Sequence, residues 1–216
     1  ADTFYTNITA CDSVVWNGVT YDSSGQYTYI PEFMQIGQDI DGEAAGDYSG
    51  RSVSLSSDGS IMAIGAPNND GNGGNSGNVR VFEDVSGTWT QIGQDIDGLA
   101  AGDGSGFSVS LSSDGSIVAV GAVDENNNNT GYVRVFENIS GTWTQIGPTL
   151  NGDNIGDYFG RSISLNSDGT ILVIGAHRVD QNNPNNDGPG QVKIYENISG
   201  TWTQLGSSIN GIFDYD

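Results

Sequence analysis

One stretch of this chain is written three times. Gly156 to Ala176 reads G-D-Y-F-G-R-S-I-S-L-N-S-D-G-T-I-L-V-I-G-A. It recurs as G-D-Y-S-G-R-S-V-S-L-S-S-D-G-S-I-M-A-I-G-A at Gly46 to Ala66, and as G-D-G-S-G-F-S-V-S-L-S-S-D-G-S-I-V-A-V-G-A at Gly102 to Ala122. A second shared element, T-W-T-Q, supplies the period: Trp89 and Trp143 are 54 residues apart, Trp143 and Trp202 are 59. The longer interval carries an insertion-rich loop from Asp180 to Gly190. Repetition at this spacing confines the chain to architectures in which one supersecondary unit stacks on the next.

Each unit holds four strand signals. Ser52 to Ser56 alternates serine with apolar residues, which places Val53 and Leu55 on one face of a half-buried strand. Asp58-Gly59, Asp114-Gly115 and Asp168-Gly169 then predict a two-residue hairpin of the primed type, with Gly59, Gly115 and Gly169 as its structural residues. Ile61 to Ala66 is almost continuously apolar, as befits a strand covered on both faces. After a polar loop comes V-R-V-F-E at 79–83, repeated at 133–137 and as V-K-I-Y-E at 192–196. A turn containing Ser86-Gly87, Ser140-Gly141 or Ser199-Gly200 leads into T-W-T-Q-I-G or its equivalent.

Four antiparallel strands every ~50–60 residues is the pattern of a β-propeller blade. A solenoid coil is shorter, and a string of sandwich domains needs about 100 residues per unit. Phe33 stands where Trp89 stands in the next unit, because E-F-M-Q-I-G-Q-D-I-D-G at 32–42 aligns with T-W-T-Q-I-G-Q-D-I-D-G at 88–98. The chain is therefore read as all-β, with propeller blades at about 33–88, 89–142 and 143–201 and part of a fourth at 202–216. Phe33, Trp89, Trp143 and Trp202 are read as packing blade on blade or anchoring a blade edge.

Composition agrees with short strands and many turns, since 35% of residues are hydrophobic and 33 are glycine. A formal net charge of -21 repels phosphate backbones and anionic head groups. Nucleic acid and direct membrane insertion are thus outside the expected partners. No run approaches the roughly 20 apolar residues of a spanning helix, and no signal-like n-region and h-region open the chain. The lack of an initiating Met leads us to expect that Ala1 follows a cleavage or a cut.

Residues 1–31 lie outside the repeat. Turn signals at Asn17-Gly18 and Ser23-Ser24-Gly25 divide them into three short strands, too few to bury a core alone. They resemble the end of the C-D-S-x-x-W-N-G-x-x-Y modules common in secreted proteins of Bacteroidetes, over roughly residues 8–29. On that resemblance they are the end of a preceding small module, with the boundary near Pro31. Cys11 is the one cysteine and is read either as a buried thiol or as half of a bridge to an upstream partner.

The units themselves resemble the FG-GAP repeat, the blade unit of integrin α-chain propellers and of many bacterial surface proteins, over roughly residues 33–216. Phe159-Gly160 carries the first half of that motif, with Ser49-Gly50 and Ser105-Gly106 as variants. Gly65-Ala66-Pro67 carries the second, with Gly121-Ala122-Val123 and Gly175-Ala176-His177 as variants. No unit has both halves intact, yet all three keep the strand, Asp-Gly turn and strand between them. The resemblance implies a secreted, cell-surface or extracellular protein, and the near identity of the units is similar to that of long Bacteroidetes surface proteins. The expected function is a non-catalytic binding or adhesion module, a keyword set of cell adhesion and secretion. Its partners would be the remaining blades of the same chain or other subunits, and glycans or surface proteins. The alternatives are a propeller domain of a secreted polysaccharide-active enzyme and a structural stalk or fibre component.

Many FG-GAP blades bind calcium through D-x-D-x-D-G-x-x-D before the second strand. Here that place reads L-S-S-D-G-S or its equivalent, leaving only Asp58, Asp114 and Asp168. The linkers D-I-D-G-E-A-A-G-D at 39–47, D-I-D-G-L-A-A-G-D at 95–103 and L-N-G-D-N-I-G-D at 150–157 are better placed. Oxygen ligands two residues apart and followed by glycine can wrap a cation, so Asp41, Asp47, Asp97, Asp103, Asp153 and Asp157 are the calcium candidates, with plain solvated turns as the other reading. Asn-rich loops at 68–78, 124–131 and 180–190 differ between units. Asn69, Asp70, Asp124, Asn127, Asp180 and Asp187 are their ligand candidates, again against a reading as solvated excursions.

Catalysis has little to work with. His177 is the only histidine, and it occupies the Pro position of the G-A-P element, which suits a loop or blade rim. No H-E-x-x-H, G-x-S-x-G or Cys-His arrangement occurs, and the acidic residues recur in every unit, as structural positions do. The expectation is a protein that is not an enzyme. Arg51 and Arg161, replaced by Phe107 in the middle unit, are expected to pair with neighbouring carboxylates.

Overall fold

The structure is a computed structural model and describes residues 4–8, 14–16, 19–21, 25–29, 35–123, 130–177 and 188–212. It divides into two compact units, Ala1–Ile36 and Gly37–Asp216. The first contains four strands: β1 (Phe4–Ile8), β2 (Val14–Trp16), β3 (Val19–Tyr21) and β4 (Gly25–Tyr29). β1 pairs antiparallel with β4, Phe4 opposite Tyr29, and β2 with β3, Trp16 opposite Val19. The three strands expected become four, because F-Y-T-N-I has the alternation of a strand but no turn signal beside it. The Asn17-Gly18 turn, Cys11 and Phe33 lie outside the described residues.

The second unit consists of three antiparallel sheets, and no helix occurs among the described residues. The first contains β5 (Ser52–Leu55), β6 (Ile61–Ala66), β7 (Asn78–Asp84) and β8 (Trp89–Gln91), with β9 (Ile96–Asp97) also pairing with β7. The second contains β10 (Ser105–Leu111), β11 (Ile117–Ala122), β12 (Tyr132–Ile139) and β13 (Thr142–Gln145), with β14 (Leu150–Asn151) on β12. The third contains β15 (Phe159–Leu165), β16 (Ile171–Ala176), β17 (Gln191–Ile198) and β18 (Thr201–Gln204), with β19 (Ile209–Asn210) on β17. This is the four-stranded meander of a propeller blade, three times over. The pairing shifts the phase of the repeat: each T-W-T-Q strand closes the sheet that precedes it. Trp202 therefore lies in the outer strand of the third sheet, and 202–212 do not begin a fourth.

Turn chemistry also falls in a different place from the one expected. Only Gly59, not Asp58, has positive φ at the Asp-Gly turn. The Gly59 N–H donates to Ser56 O at 3.0 Å and Ser56 N–H to Ile61 O at 2.9 Å, a longer loop than the two-residue primed hairpin. Asp58 holds it: its Oδ1 accepts from Ser56 Oγ (2.7 Å), Ser60 N (3.0 Å) and Ser60 Oγ (2.8 Å). The primed turn sits instead at Ser86-Gly87, where φ is 57° and 84° and Val85 and Thr88 exchange backbone hydrogen bonds. Ser140-Gly141 and Ser199-Gly200 repeat the same angles within a few degrees. A side chain two residues before each serine makes the turn cheaper: Asp84, Asn138 and Asn197 each accept from the glycine N–H at 2.6–2.8 Å.

Two apolar interfaces hold the sheets together. Between the first and second, Ala63, Val79, Val81 and Ile96 meet Val109, Leu111, Val118, Val120, Phe136 and Trp143. Between the second and third, the equivalent positions of the next pair meet: Ala119, Val133, Val135 and Leu150 against Leu172, Ile174, Tyr195 and Trp202. Alternation along each strand thus sends one set of side chains to the preceding sheet and the other to the following one. Three hydrogen bonds recur across both interfaces. Ser52 Oγ donates to Gly106 O (2.8 Å) and Ser108 Oγ to Gly160 O (2.6 Å). Leu111 N–H donates to Ser54 Oγ (3.0 Å) and Leu165 N–H to Ser110 Oγ (2.9 Å). Trp143 Nε1–H donates to Ile92 O (2.9 Å) and Trp202 Nε1–H to Ile146 O (3.2 Å).

Candidate functional site

The loop from β6 to β7 and the two linkers that flank it converge at one end of the first sheet. Asn69 is buried and its Nδ2 donates to both Glu43 Oε2 and Asp47 Oδ2 at 2.9 Å, while its Oδ1 accepts from Gly71 N–H at 2.8 Å. Asp70 is exposed and accepts from Asn75 N–H at 2.8 Å. Asn72 Nδ2 reaches the following linker, donating to Gly98 O (2.8 Å) and Leu99 O (3.2 Å). Asn78, at the start of β7, is buried and donates to Glu43 Oε2 (3.0 Å) and Asp95 Oδ2 (3.4 Å), leaving its Oδ1 without a hydrogen-bond partner. Asn69, Asn72 and Asn78 thus tie this loop to the linkers on both sides, while Asp70 is bonded within the loop itself.

The six linker aspartates divide into two structural roles. Asp47, Asp103 and Asp157 each close their own loop, accepting from the N–H three residues earlier: Ala44 (3.1 Å), Ala100 (2.8 Å) and Asn154 (2.8 Å). Asp41, Asp97 and Asp153 each hold the basic residue of a third strand. The Asp41 carbonyl accepts from Arg80 (2.6 Å), the Asp97 carbonyl accepts from Arg134, and Asp153 Oδ2 pairs with Lys193 Nζ at 2.6 Å. Among the described residues no three His, Cys, Asp or Glu side chains come together as a metal site. At each turn aspartate one carboxylate oxygen is already filled by hydroxyl and amide donors. Those donors hold the Asp58 carboxyl down to about 2 and also lower Asp114 and Asp168. Asp97 moves the other way: burial, and then the nearby Asp95 and Glu43 charges, push its carboxyl up.

Trp143 and Trp202 are buried in the interfaces between sheets and Trp89 is half-buried. Gln38 brackets Trp89 as Gln94 brackets Trp143: each glutamine donates to the tryptophan carbonyl and accepts from its N–H. Among the described residues no carboxylate pairs with Arg51; its guanidinium lies 4.1 Å from the centre of the Phe107 ring, and that of Arg161 lies 5.1 Å from the same ring. The residue that replaces the arginine in the middle unit is the ring on which its two neighbours rest. His177 is exposed and meets Tyr158 edge-on at 5.2 Å. Asp124, Asn127, Asp180 and Asp187 lie outside the described residues.

Sequence reasoning passed over Glu43, Asn72, Asn78 and Asp95. A signal existed for Asn78: it opens a strand that is otherwise closely similar in all units, V-R-V-F-E or V-K-I-Y-E, but the residue at its position is Asn78, Tyr132 or Gln191. Each of these makes a different bond. Tyr132 Oη donates to Asp103 (2.8 Å) and Gln191 Nε2 to Asn210 (2.8 Å).

Sheet order, blade packing and the loop end together define a β-propeller segment. The chain carries FG-GAP repeats in two places: the family model described as FG-GAP repeat matches residues 40–82 and 149–192. Those spans hold the first and third Asp-Gly turns. No curated protein matches the sequence. Among solved structures, a candidate 6-phosphogluconolactonase from Bacteroides uniformis is 18% identical, with a TM-score of 0.48 over 72% of this chain and 39% of the other. A periplasmic gluconolactonase from Pseudomonas aeruginosa is 20% identical, with a TM-score of 0.48 over 74% of this chain and 39% of the other. Hydrazine synthase from Kuenenia stuttgartiensis is 15% identical, with a TM-score of 0.46 over 71% and 41%. The chain spans about two fifths of the length of these structures.

Proposed function

We propose that this chain is a non-catalytic binding module of a secreted or cell-surface protein, and that it engages its ligand, a glycan or a surface protein, through the loop end of its blades. The observation that carries this reading is the bracing of loop 68–78. Asn69, Asn72 and Asn78 fix it to the linkers on both sides, so its outward groups are held in place before any ligand arrives. Amides and carboxylates at fixed positions suit the hydroxyls of a sugar or the polar groups of a protein surface. The absence of catalysis is supported by the linker aspartates, each of which has a partner repeated from unit to unit, and by the exposed position of His177 against Tyr158.

The test is a glycan and surface-protein array probed with the labelled chain, with and without calcium, beside Asp70→Ala and Asn72→Ala. Binding that drops about tenfold or more in the variants, with the circular dichroism spectrum unchanged, supports the reading. Binding that ignores both substitutions, or release of reducing sugar from a bound polysaccharide, overturns it. Loss of binding on chelation would assign calcium a part in it.

A further inference from the structure

The junction between the first and second sheets differs at one corner from the junction between the second and third. Ser105 N–H donates to Ser76 O where the sheets meet, as Phe159 N–H does to Thr130 O in the second junction. Gly106 lies against Asn78 O there, as Gly160 lies against Tyr132 O. Where the second junction has the rings of Tyr132 and Phe159, the first therefore has Asn78 and Ser105, which are 1% and 0% exposed. Each leaves a buried polar atom without a hydrogen-bond partner: Asn78 Oδ1 and Ser105 Oγ. Burying an unpaired polar atom costs stability, yet the same repeat fills both places with rings one sheet further on.

The charges around Asn78 are confined to the same corner. Glu43, Asp95 and Asp97 stand where the next unit has Leu99, Thr149 and Asn151, so blade packing does not require them. Glu43 Oε2 accepts from both Asn69 and Asn78, which leaves Oε1 for another partner. Asp95 gives one oxygen to Gln91 and the other to Asn78. Asp97 is held differently: Arg134 donates to its backbone carbonyl, and among the described residues no hydrogen bond acts on its carboxylate. Asp97 Oδ1 and Asn69 Oδ1 come within 2.8 and 3.0 Å of one point, the place a Cβ on Gly71 would take. Three carboxylates thus gather about two amides, and the corner is left with an excess of negative charge.

We infer that this corner binds one divalent cation of calcium's kind, with the carboxylates of Asp97 and Glu43 and the amide oxygens of Asn78 and Asn69 among its ligands. Among the described residues no three acidic side chains meet as a metal site, so neutral oxygens have to complete the shell. Calcium accepts such a mixture, taking about six to eight carboxylate, amide and water oxygens in a flexible arrangement, whereas magnesium demands a near-ideal octahedron. Both amide groups already bond the same Glu43 oxygen, so small side-chain rotations bring their carbonyl oxygens to one ion. The ion gives Asn78 Oδ1 the partner it lacks and offsets the repulsion among Glu43, Asp95 and Asp97. It also fastens together the two linkers that flank loop 68–78, since Glu43 belongs to one and Asp97 to the other. The Asp-Gly turns take no part. The ion needs no second ligand, so its binding stands or falls separately from the recognition of a glycan or protein.

Calorimetric titration of the 216-residue chain with calcium chloride, at about 0.15 M salt to screen diffuse attraction, tests it. The expected result is one saturable site per chain with a Kd of about 0.1–1 mM, together with a rise in the thermal midpoint. Over the same titration the side-chain amide signals of Asn69 and Asn78 shift in the nitrogen-15 NMR spectrum. Asp97→Asn, which places the next unit's residue here, and Asn78→Ala each weaken binding about tenfold or more with the circular dichroism spectrum unchanged. Asp58→Ala, at a turn, binds as wild type does. A wild-type chain that takes up calcium only without saturation, as any acidic surface does, overturns the inference. Binding kept in Asp97→Asn, or lost in Asp58→Ala, overturns it as well. Should Asn78→Ala fail to fold, the wild-type spectrum decides: Asn69 and Asn78 signals that stay in place while calcium saturates put the ion elsewhere and sink the assignment.

Discussion

The indole Nε1–H of Trp143 donates to the carbonyl of Ile92 at 2.9 Å, a hydrogen bond that crosses from the second sheet to the first. The ring fills the interface while its polar edge takes up a backbone acceptor at the end of the neighbouring outer strand. Trp143→Phe keeps most of the ring and loses the bond, and should cost about 1 kcal/mol. Trp143→Ala also leaves a cavity and should cost about 3–5 kcal/mol. The half-buried Trp89 should lose less in the same truncation. Urea unfolding of the three variants measures the order; equal losses at Trp89 and Trp143 would mean that burial between sheets is not what the tryptophan provides.

Gly121 shows why the second strand of each unit ends in Gly-Ala. A side chain there would collide with Gly160 O of the third sheet and with Ser108 Oγ, and only the hydroxyl can move aside. Gly121→Ala should therefore destabilise by about 2–4 kcal/mol, as backbone overpacking does. Gly175→Ala meets only the movable Ser162 hydroxyl closely and should cost under about 1 kcal/mol. Comparing the two denaturation midpoints decides whether the glycine is kept for sheet packing or for strand geometry alone.

Much of this fold could be read from spacing. The four strands, the apolar second strand and the loop positions follow from alternation and from comparing units, since the period of a strand and that of a blade both show in the letters. The turn types did not follow. Asp-Gly is the commoner primed-turn pair, yet Asp58 spends its carboxylate on Ser56 and Ser60, and the primed geometry goes to Ser86-Gly87, where Asp84 accepts the glycine N–H. Side-chain capping two residues away outweighed the dipeptide preference. The fate of the linker aspartates was equally hidden. Asp41 and Asp47 have the same letter and lie in one linker, but one offers its backbone carbonyl to Arg80 and the other its carboxylate to Ala44 N–H and Asn69. Such division depends on partners 22 and 39 residues away, which no local pattern contains.

Tyr132 and Asp103 give a further test of those linkers. The phenol is buried, donates to Asp103 Oδ2 at 2.8 Å and accepts from Leu99 N–H at 3.2 Å. Burial, together with the neighbouring carboxylate, pushes the phenol up out of its ordinary range. Asp103→Ala leaves the hydroxyl proton and Ala100 N–H without this acceptor and should cost about 1–3 kcal/mol. In Tyr132→Phe the same aspartate change should cost measurably less, which a double-mutant cycle reads directly. Additive losses would show that the two side chains do not act as a pair.

Acid should loosen the three Asp turns and ease one strained carboxyl, in opposite senses. Asp58, Asp114 and Asp168 have their folded values lowered by hydroxyl and amide donors, so their contribution is complete above the ordinary carboxylate range. It is lost as pH falls through the folded values, about 2 for Asp58. Asp97 is raised, mainly by burial and then by Asp95 and Glu43. Its charged form opposes folding above its folded value, and protonation relieves that cost as pH falls toward the ordinary range. Amide exchange is the site-specific measurement: Ser60 N–H, held by Asp58, should keep its protection through the ordinary carboxylate range and lose it as pH falls towards about 2, and Ser116 N–H, held by Asp114, should lose its own only below the ordinary carboxylate range. In Asp58→Ala the Ser60 amide should exchange fast at every pH while Ser116 keeps the wild-type profile. Loss of protection at Ser116 in that variant would show that the turns act as one unit and not separately.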